Sequence, residues 1–333
     1  MLLLRTSFWV LSASLILTAS LQAQQAPPQF LLKWGSFGSE RGQFDEPVDV
    51  AVDGAGYVYV ADTRNHRIQK FDGNGVFVAE WQSRCPGPIF NCFPKSVAAS
   101  PSQDVYVLDG RSVQRFRSNG AFVSRWEVYG AAVDLDIDSS GRVFVFVNGV
   151  DSTKVLTFEA DGVLRDSWGR RGHGVGEFWQ PTGIAVDAQG MVYTVSNVSI
   201  GDVPHHVQKF DSGGNLLLAW GGCCSGDGEF DRPQDICVGP AGLVYVADGV
   251  GSRIQVFDAN GEFITKWGSR CLLSSGDGCV GEGDGQFSPP QGVDVDAQGS
   301  VYVADRNNNR IQKFGVVTSV RRDSWGQIKN RYR

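Results

Sequence analysis

The sequence lacks the short motifs that mark several common kinds of active site. It contains no GxSxG motif for a nucleophilic serine, no HExxH motif for a zinc-binding helix and no CxxC pair for a thiolate-bound metal. Histidine, which serves widely in acid–base catalysis and metal binding, occurs only four times. These absences argue against the enzyme classes built on such motifs, and we identify no catalytic residue.

Two further absences concern charge and hydropathy. The chain has 30 Lys and Arg against 36 Asp and Glu, which gives a net charge of −6, and no basic stripe runs through it. Such a chain repels a phosphate backbone on average, so nucleic acid is not expected as a partner. After residue 23, no stretch approaches the roughly 20 apolar residues that a membrane helix requires. We therefore expect no membrane span.

The first 23 residues have the pattern of a secretory signal peptide. A positive charge at Arg5 precedes an apolar stretch from Phe8 to Leu17, and the small residue Ala23 follows. The pattern predicts that the mature protein is secreted or periplasmic. The seven cysteines are compatible with such an oxidising compartment.

What the sequence does contain is an internal repeat. Its clearest copies are FDEPVDVAVDGAGYVYVADTRNHRIQKFDGNG from Phe44 and FSPPQGVDVDAQGSVYVADRNNNRIQKFG from Phe287. In the first copy, strands are predicted at 47–52, 57–61, 67–71 and 76–81, with turns or a polar loop between them. One phenylalanine marks the third strand of each copy: Phe71, Phe116, Phe158, Phe210, Phe257 and Phe314. The spacing of these landmarks is typical of a repeated four-stranded unit.

Six such sheets can bury both of their faces only if they pack radially around a channel. The predicted fold is therefore all-β, a six-bladed β-propeller of four-stranded antiparallel blades. The last copy stops after its third strand, and an orphan strand at 30–35, which matches 263–268, precedes the first copy. We expect the N-terminal strand 30–35 to join the last blade and close the ring.

The predicted organisation follows from these boundaries. A signal peptide at 1–23 and a linker at 24–29 precede the propeller at 30–317, and a basic, aromatic C-terminal tail occupies 318–333. A tryptophan recurs at the fourth-strand position of every copy, and we expect these rings to fill the gaps between blades: Trp34, Trp81, Trp126, Trp168, Trp220 and Trp267.

Three segments carry a family resemblance. VYVADTRNHRIQKF at 58–71, VYVADGVGSRIQVF at 244–257 and VYVADRNNNRIQKF at 301–314 resemble NHL repeats. The resemblance covers about residues 30–315 and implies a six-bladed propeller. The family includes RNA-binding and ubiquitin-ligase-associated propellers, a zinc-dependent lyase that amidates peptides, and secreted bacterial proteins. The chain is similar to the secreted bacterial type, because it has no basic surface and no histidine in the predicted inner strands.

Two sets of aspartates are candidates for a role in the propeller. Asp49, Asp134 and Asp235 occupy one inner-strand position in alternate copies and are predicted to ring the channel mouth as ligand-binding residues. A hard cation such as Ca²⁺ would relieve their mutual repulsion. The alternative is that each binds backbone amides of its own inter-blade loop. The second set ends the second strands and is predicted to be scaffold, paired where possible with an arginine five residues later: Asp62, Asp109, Asp248 and Asp305.

Histidines and cysteines provide weaker candidates. His173, His205 and His206 are the weak candidates for a zinc site, although adjacent side chains in an extended segment point in opposite directions. The alternative is that they are ordinary loop histidines. The disulfide candidates bracket two inter-blade loops, Cys85 with Cys92 and Cys271 with Cys279. The adjacent Cys223 and Cys224 can pair with each other only under strain.

These features together predict a secreted, non-catalytic binding scaffold. It would present a loop-rich propeller face to a protein, peptide or glycan ligand, and we expect it to be a monomer. The alternative is a metal-dependent propeller enzyme that uses the aspartate ring, similar to a lactonase or another hydrolase, or to the peptide-amidating lyase. No cofactor other than Ca²⁺ is suggested.

Overall fold

The computed structural model describes residues 26–83, 93–149, 153–197, 206–269 and 283–315. The predicted signal peptide, the C-terminal tail and the cysteine pairs Cys85–Cys92 and Cys271–Cys279 lie outside these residues. Within them the chain forms six four-stranded antiparallel sheets. This confirms the prediction of an all-β, six-bladed propeller.

Each blade is numbered by its place in the ring, and its strands run from the channel outwards. Blade 1 contains β2 (Pro47–Val52), β3 (Val58–Asp62), β4 (Arg67–Phe71) and β5 (Phe77–Gln82). Blade 2 contains β6 (Pro94–Ala99), β7 (Asp104–Asp109), β8 (Ser112–Arg117) and β9 (Phe122–Glu127). Blade 3 contains β10 (Ala131–Ile137), β11 (Val143–Asn148), β12 (Lys154–Phe158) and β13 (Leu164–Trp168).

The second half of the ring has the same order. Blade 4 contains β14 (Pro181–Val186), β15 (Val192–Ser196), β16 (Val207–Phe210) and β17 (Leu216–Trp220). Blade 5 contains β20 (Pro233–Val238), β21 (Val244–Asp248), β22 (Arg253–Phe257) and β23 (Phe263–Trp267). Blade 6 contains β24 (Pro290–Val295), β25 (Val301–Asp305), β26 (Arg310–Gly315) and the N-terminal β1 (Gln29–Trp34). Two short strands, β18 (Gly222–Cys223) and β19 (Glu229–Phe230), and three 3₁₀ turns, Thr63–Asn65, Pro240–Gly242 and Arg306–Asn308, lie in the connections.

The ring is closed by the two ends of the propeller. Strand β1 pairs antiparallel with β26, so that Phe30 lies opposite Phe314 and Trp34 lies opposite Ile311. The six inner strands contact one another in sequence, and β24 of blade 6 contacts β2 of blade 1. The structure therefore confirms that the N-terminal strand completes the last blade.

The recurring tryptophans fill the space between blades, as predicted. The indole of Trp34 in blade 6 lies against Gly75 in the hairpin between β4 and β5 of blade 1, and a Cβ at Gly75 would come within 2.8 Å of that ring. The same arrangement links every following pair of blades up to blade 5, through Trp81 with Gly120, Trp126 with Gly162, Trp168 with Gly214 and Trp220 with Gly261. Glycine is required in these hairpins for space as well as for backbone conformation.

Two glycines of blade 1 allow the contribution of this packing to the free energy of unfolding to be measured. Gly75 has φ 77° and Gly56 has φ 84°, but no atom lies within 4 Å of a Cβ built at Gly56. We expect Gly56→Ala to cost about 1 kcal/mol, the price of a left-handed backbone for alanine. Gly75→Ala should cost roughly 2 kcal/mol more, because the indole must also move. Urea unfolding of the two variants measures the difference, and equal costs would contradict the packing role of Trp34.

Candidate functional site

The loops of the propeller are concentrated at one of its ends. Because the strands of a blade are antiparallel, the connection to the next blade and the loop between the second and third strands emerge together. We call this end the loop face. The remaining connections, at the opposite end, are short turns such as 53–57 and 72–76, in which Asp53 and Asp72 accept backbone N–H groups.

Blade 1 holds its part of the loop face with an aspartate and an arginine. Asp62 accepts the N–H of Asp45 at 2.9 Å and the Nε–H of Arg67 at 2.8 Å. Arg67 also donates to the carbonyl oxygens of Glu40 and Gln43 in the preceding inter-blade loop, at 2.8 and 2.9 Å. The ion pair is almost completely buried. The predicted pairing of Asp62 with a loop N–H group and with Arg67 is therefore confirmed, and we call this arrangement the Asp–Arg lock.

Among the described residues, the lock is present in three of the six blades. Asp248 with Arg253 in blade 5 and Asp305 with Arg310 in blade 6 repeat the 2.8 Å ion pair. In blade 2, Asp109 instead accepts a hydrogen bond from Gln114 at 3.1 Å. Val147 and Ser196 occupy the corresponding positions in blades 3 and 4. The loop face thus has a locked half and a half that lacks the lock.

At the axis, the inner strands surround a cavity of about 170 Å³. Asp49, Asp134 and Asp235, the predicted ring, all line it. Asp49 and Asp134 are buried, whereas Asp235 keeps some accessible surface towards the cavity. The structure therefore brings the three predicted residues together at the channel.

Each carboxylate of this ring joins two blades. Asp49 accepts the N–H of Val50 in its own strand and that of Val97 in blade 2, both at 2.8 Å. Asp134 binds in the same way to Leu135 and to Ile184 of blade 4, at 2.8 and 2.7 Å.

Asp235 completes the pattern with the N–H groups of Ile236 and of Val293 in blade 6, at 2.7 and 2.8 Å. Three aspartates thus satisfy the channel-facing N–H groups of all six inner strands at this level, joining blades 1 with 2, 3 with 4 and 5 with 6. The expectation that each binds amides of its own inter-blade loop was wrong in detail, because the partners are strand amides of two blades. We call these bridges carboxylate clasps.

The alternation has a steric cause. At the same position, blades 4 and 6 carry Gly183 and Gly292, where a Cβ would come within 2.9 Å of the Asp235 Cα and 2.7 Å of the Asp49 Cα. No larger side chain fits beside the next blade at these points. In blade 2 the position holds Ser96, whose hydroxyl accepts the N–H of Leu135 at 3.2 Å.

Sequence reasoning missed a second level of clasps. Asp136 accepts the N–H groups of Ile137 and of Val186 in blade 4, both at 2.7 Å. Asp294 does the same for its neighbour Val295 and for Val52 of blade 1, both at 2.7 Å. The sequence spacing could have predicted the role of Asp136. Residues two apart in a strand face the same side of the sheet, and Asp136 follows Asp134 at that spacing.

Burial raises the pKa of these carboxyl groups. Desolvation is the main cause in every case, and it raises the pKa of Asp134 to about 6, that of Asp294 to about 7 and that of Asp136 to about 8. For Asp49 and Asp235 the pKa lies well above its ordinary value, because desolvation is reinforced by the charge of Asp134. The backbone N–H donors lower the pKa of each group but do not offset the loss of solvent.

Three copies of the repeat match a known family of repeats. The NHL repeat model matches residues 44–71, 230–257 and 287–314. These three segments fall on blades 1, 5 and 6, which are the blades that carry the Asp–Arg lock. The chain therefore contains NHL repeats.

Comparison with known proteins agrees with this assignment. The NHL propeller is 29% identical to mouse NHL repeat-containing protein 3 over 205 residues, which are 59% of this chain and 55% of that protein. It is 36% identical to rat peptidylglycine alpha-amidating monooxygenase over 149 residues, which are 42% of this chain and 14% of that protein. The chain therefore spans about half, or much less, of these relatives.

Among solved structures, a gluconolactonase from Xanthomonas campestris is similar to the NHL propeller in fold. The superposition has a TM-score of 0.56 at 15% identity and covers 87% of this chain and 98% of that chain. At this identity the likeness shows the fold alone. No helix within the described residues of the NHL propeller is long and apolar enough to cross a membrane.

The histidines of the NHL propeller have separate surroundings. His173 is exposed and stacks on Trp179 at 4.2 Å, whereas His206 is buried with Nδ1 2.8 Å from the carbonyl oxygen of Ser196. His205 lies outside the described residues. Across the part of the chain that is described, no three His, Cys, Asp or Glu side chains are grouped to hold one metal ion. The zinc and Ca²⁺ sites therefore stay predictions that the geometry does not strengthen.

The described cysteines form no disulfide. Cys237 is buried beside the channel, and burial raises the pKa of its thiol well above the ordinary value. Cys223 and Cys224 are exposed in the loop between blades 4 and 5, with their sulfur atoms 2.8 Å apart. Disulfides at Cys85, Cys92, Cys271 and Cys279 stay predictions.

The half of the loop face that lacks the lock, in blades 2 to 4, presents an aromatic side chain that sequence reasoning missed. Tyr129, in the connection between blades 2 and 3, is 90% exposed. Its neighbour Val128 is buried and donates its N–H to the carbonyl oxygen of Arg111 at 2.6 Å. Gly130, on the other side, is close to the neighbouring strand, because a Cβ built there would lie 3.4 Å from the Cβ of Val147. The ring is therefore held out into solvent by a short loop that is anchored on both sides.

Proposed function

We propose that this NHL propeller is a non-catalytic binding scaffold, whose loop face over blades 2 to 4 binds a protein or peptide ligand that carries carboxylate groups. The exposure of Tyr129 is the observation that carries the proposal. Exposing a tyrosine on an anchored loop gains nothing for folding, whereas a rigid aromatic side chain is a common anchor of protein interfaces. The clasps and the Asp–Arg lock supply the rigid frame beneath it.

Basic side chains on the same half of the loop face support a preference for acidic ligands. Arg111, whose carbonyl oxygen anchors the Tyr129 loop, has an exposed side chain, and so does Lys95 in blade 2. Arg171 lies over the ring of Trp179 at 4.5 Å in the connection to blade 4. The carboxylates of the channel, by contrast, already accept backbone N–H groups. Cationic and aromatic groups on the loop face therefore suit a ligand that bears both carboxylates and apolar side chains.

We also propose that the protein acts outside the cytoplasm, in a secreted or periplasmic form. The pattern of the first 23 residues supports this location. A pull-down from the native extracytoplasmic fraction is therefore the appropriate source of ligands.

Substitution of Tyr129 tests the binding proposal. We expect Tyr129→Ala to weaken retention of a ligand captured by the wild-type protein by about tenfold or more, which is the usual effect of removing an aromatic anchor. Unfolding should be unaffected, because the side chain makes little buried contact. Binding is measured by surface plasmon resonance with the captured ligand identified by mass spectrometry.

The matched control is Val163→Ala. Val163 is 59% exposed but lies in the hairpin between β12 and β13 at the opposite end of the propeller. This variant should bind like the wild-type protein. Equal affinity of all three proteins for every captured ligand would refute the proposal.

A metal-dependent hydrolase is the alternative, because five carboxylates gather in one cavity and the gluconolactonase has a similar fold. It would require Ca²⁺ to enter the channel. A rise in melting temperature with Ca²⁺, absent in Asp134→Asn and accompanied by turnover of a lactone, would favour this alternative over the binding scaffold.

A further inference from the structure

The connection between blades 4 and 5 carries two adjacent thiols that neither the fold nor the proposed function uses. Cys223 and Cys224 are exposed, and their sulfur atoms lie 2.8 Å apart. This separation is shorter than the sum of two sulfur van der Waals radii. The two groups therefore need little movement to react with each other.

In two equivalent loops, the position of Cys224 is occupied by glycine. The bridge between Cys223 and Phe230 corresponds to the parallel bridges of Phe37 with Phe44 and of Arg171 with Phe178. In those two loops the next residue is a glycine, Gly38 or Gly172.

Cys224 has φ 112°, within the region that favours glycine. At the corresponding Gly38, φ is 151° and a Cβ would collide with the side chain of Gln43. A cysteine is thus held in a backbone conformation that disfavours any side chain, beside a second cysteine. Strain of this kind is typical of residues with a function.

We propose that Cys223 and Cys224 form a reversible redox site, which closes to a vicinal disulfide by exchange with a low-molecular-weight disulfide such as oxidised glutathione. The thiolate of Cys223 attacks one sulfur of the oxidant, forms a mixed disulfide and releases one thiol. The thiolate of Cys224 then attacks the Cys223 sulfur and releases the second thiol. Two protein thiols are oxidised and one external disulfide is reduced to two thiols, so electrons and protons balance.

The order of attack follows from the contact between the thiols. Hydrogen bonding with Cys223 is the main cause of the raised pKa of the Cys224 thiol. The raised pKa disfavours the thiolate of Cys224, so we assign the first attack to Cys223. A disulfide between adjacent residues is strained, and strained disulfides are readily reduced, so the closed form can reopen.

The site is connected to the Asp–Arg lock of blade 5. The two residues after Cys224 are Ser225 and Gly226, whose carbonyl oxygens accept hydrogen bonds from Arg253 at 2.7 and 3.0 Å. Arg253 pairs with Asp248 at 2.8 Å. Closing the disulfide changes the backbone directly before these acceptors, so the oxidation state affects the loop that the Asp–Arg lock of blade 5 holds.

The experiment treats the full-length reduced protein with excess oxidised glutathione, quenches with acid and analyses the chymotryptic peptide 221–230. This peptide contains Cys223 and Cys224 but not Cys237. We expect it to become lighter by two hydrogen atoms and to regain them with dithiothreitol. A peptide that keeps both thiols, or carries glutathione on each cysteine, would overturn the proposal.

Two variants test the geometry. Cys224→Ser should trap a glutathione adduct on Cys223, whereas accumulation of an equal adduct on Cys224 in Cys223→Ser would contradict the assigned order. Cys224→Gly places the residue of the equivalent loops at this position, so it should abolish the oxidation and raise the melting temperature. A lower melting temperature for Cys224→Gly would contradict the strain on which the proposal rests.

Discussion

Removing residues 26–34, and with them strand β1, is expected to unfold the propeller at temperatures at which the full chain is native. The deletion removes a whole strand from blade 6 and exposes the edge of β26. It also removes Phe30, whose ring lies 6.0 Å from that of Phe314, and Trp34, which lies 5.7 Å from Phe71 of blade 1. The expected loss is on the order of 5 kcal/mol or more, comparable with the whole stability of a typical domain. Calorimetry measures the loss.

A circular permutant provides the control for this deletion. It begins at Gly35 and carries residues 29–34 after Gly315 through a hairpin like that at 258–262 of blade 5. The strand is then present but covalently attached to blade 6 alone. We expect the permutant to recover most of the lost stability. A deletion variant that melts like the full chain would contradict the closure of the ring by β1.

The second large effect concerns pH. We expect the free energy of unfolding to fall as the pH rises from about 4 to about 8, by on the order of 10 kcal/mol in total. The cause is the group of buried clasps, in which the pKa of Asp136 is raised to about 8, that of Asp294 to about 7 and that of Asp134 to about 6. Urea unfolding at intervals across this range measures the slope.

The sign follows from proton binding in the two states. Between the ordinary aspartate pKa of 3.8 and its raised folded value, the folded protein binds more protons than the unfolded chain. Stability is therefore fully present below the lower value and is lost as the pH passes through the folded pKa. Carboxyl groups whose pKa is lowered by folding, such as Glu46 and Asp138, change the free energy of unfolding only at more acidic pH.

The matched variant for the pH effect is the double substitution Asp136→Asn and Asp294→Asn. It removes two titrating groups from the channel and retains their shape, so the slope between pH 6 and 8 should become smaller. An unchanged slope, or a wild-type stability that increases with pH over this range, would show that the clasps are ionised throughout in the folded protein.

The repeat pattern predicted the fold well because each blade is a local unit. The strands predicted in blade 1 differ from the observed β2 to β5 by at most one residue at either end. The closure by β1 was predictable because residues 30–35 resemble a fourth strand and the last copy lacks one. Periodic burial and turn residues determine these features within a few dozen residues of sequence.

The candidate site was predictable only in part. The sequence located Asp49, Asp134 and Asp235 at one level of the channel, but one of the two N–H partners of each carboxylate lies in the next blade. No local pattern specifies which amide a carboxylate accepts. The role of Tyr129 was not predictable, because its exposure depends on the burial of Val128 and on the packing of Gly130. Both depend on contacts that form only when the blades are assembled.

The most direct measurement of the carboxylate clasps follows backbone amides by nuclear magnetic resonance as the pH is raised. The N–H of Ile184 donates to Asp134 across the boundary between blades 3 and 4, at 2.7 Å. We predict that its proton resonance moves downfield with a midpoint near the Asp134 pKa of about 6, because ionisation strengthens the hydrogen bond. The shift should be absent in Asp134→Asn. An Ile184 amide that does not titrate in the wild-type protein, or that loses its hydrogen bond when Ca²⁺ is added, would contradict the account.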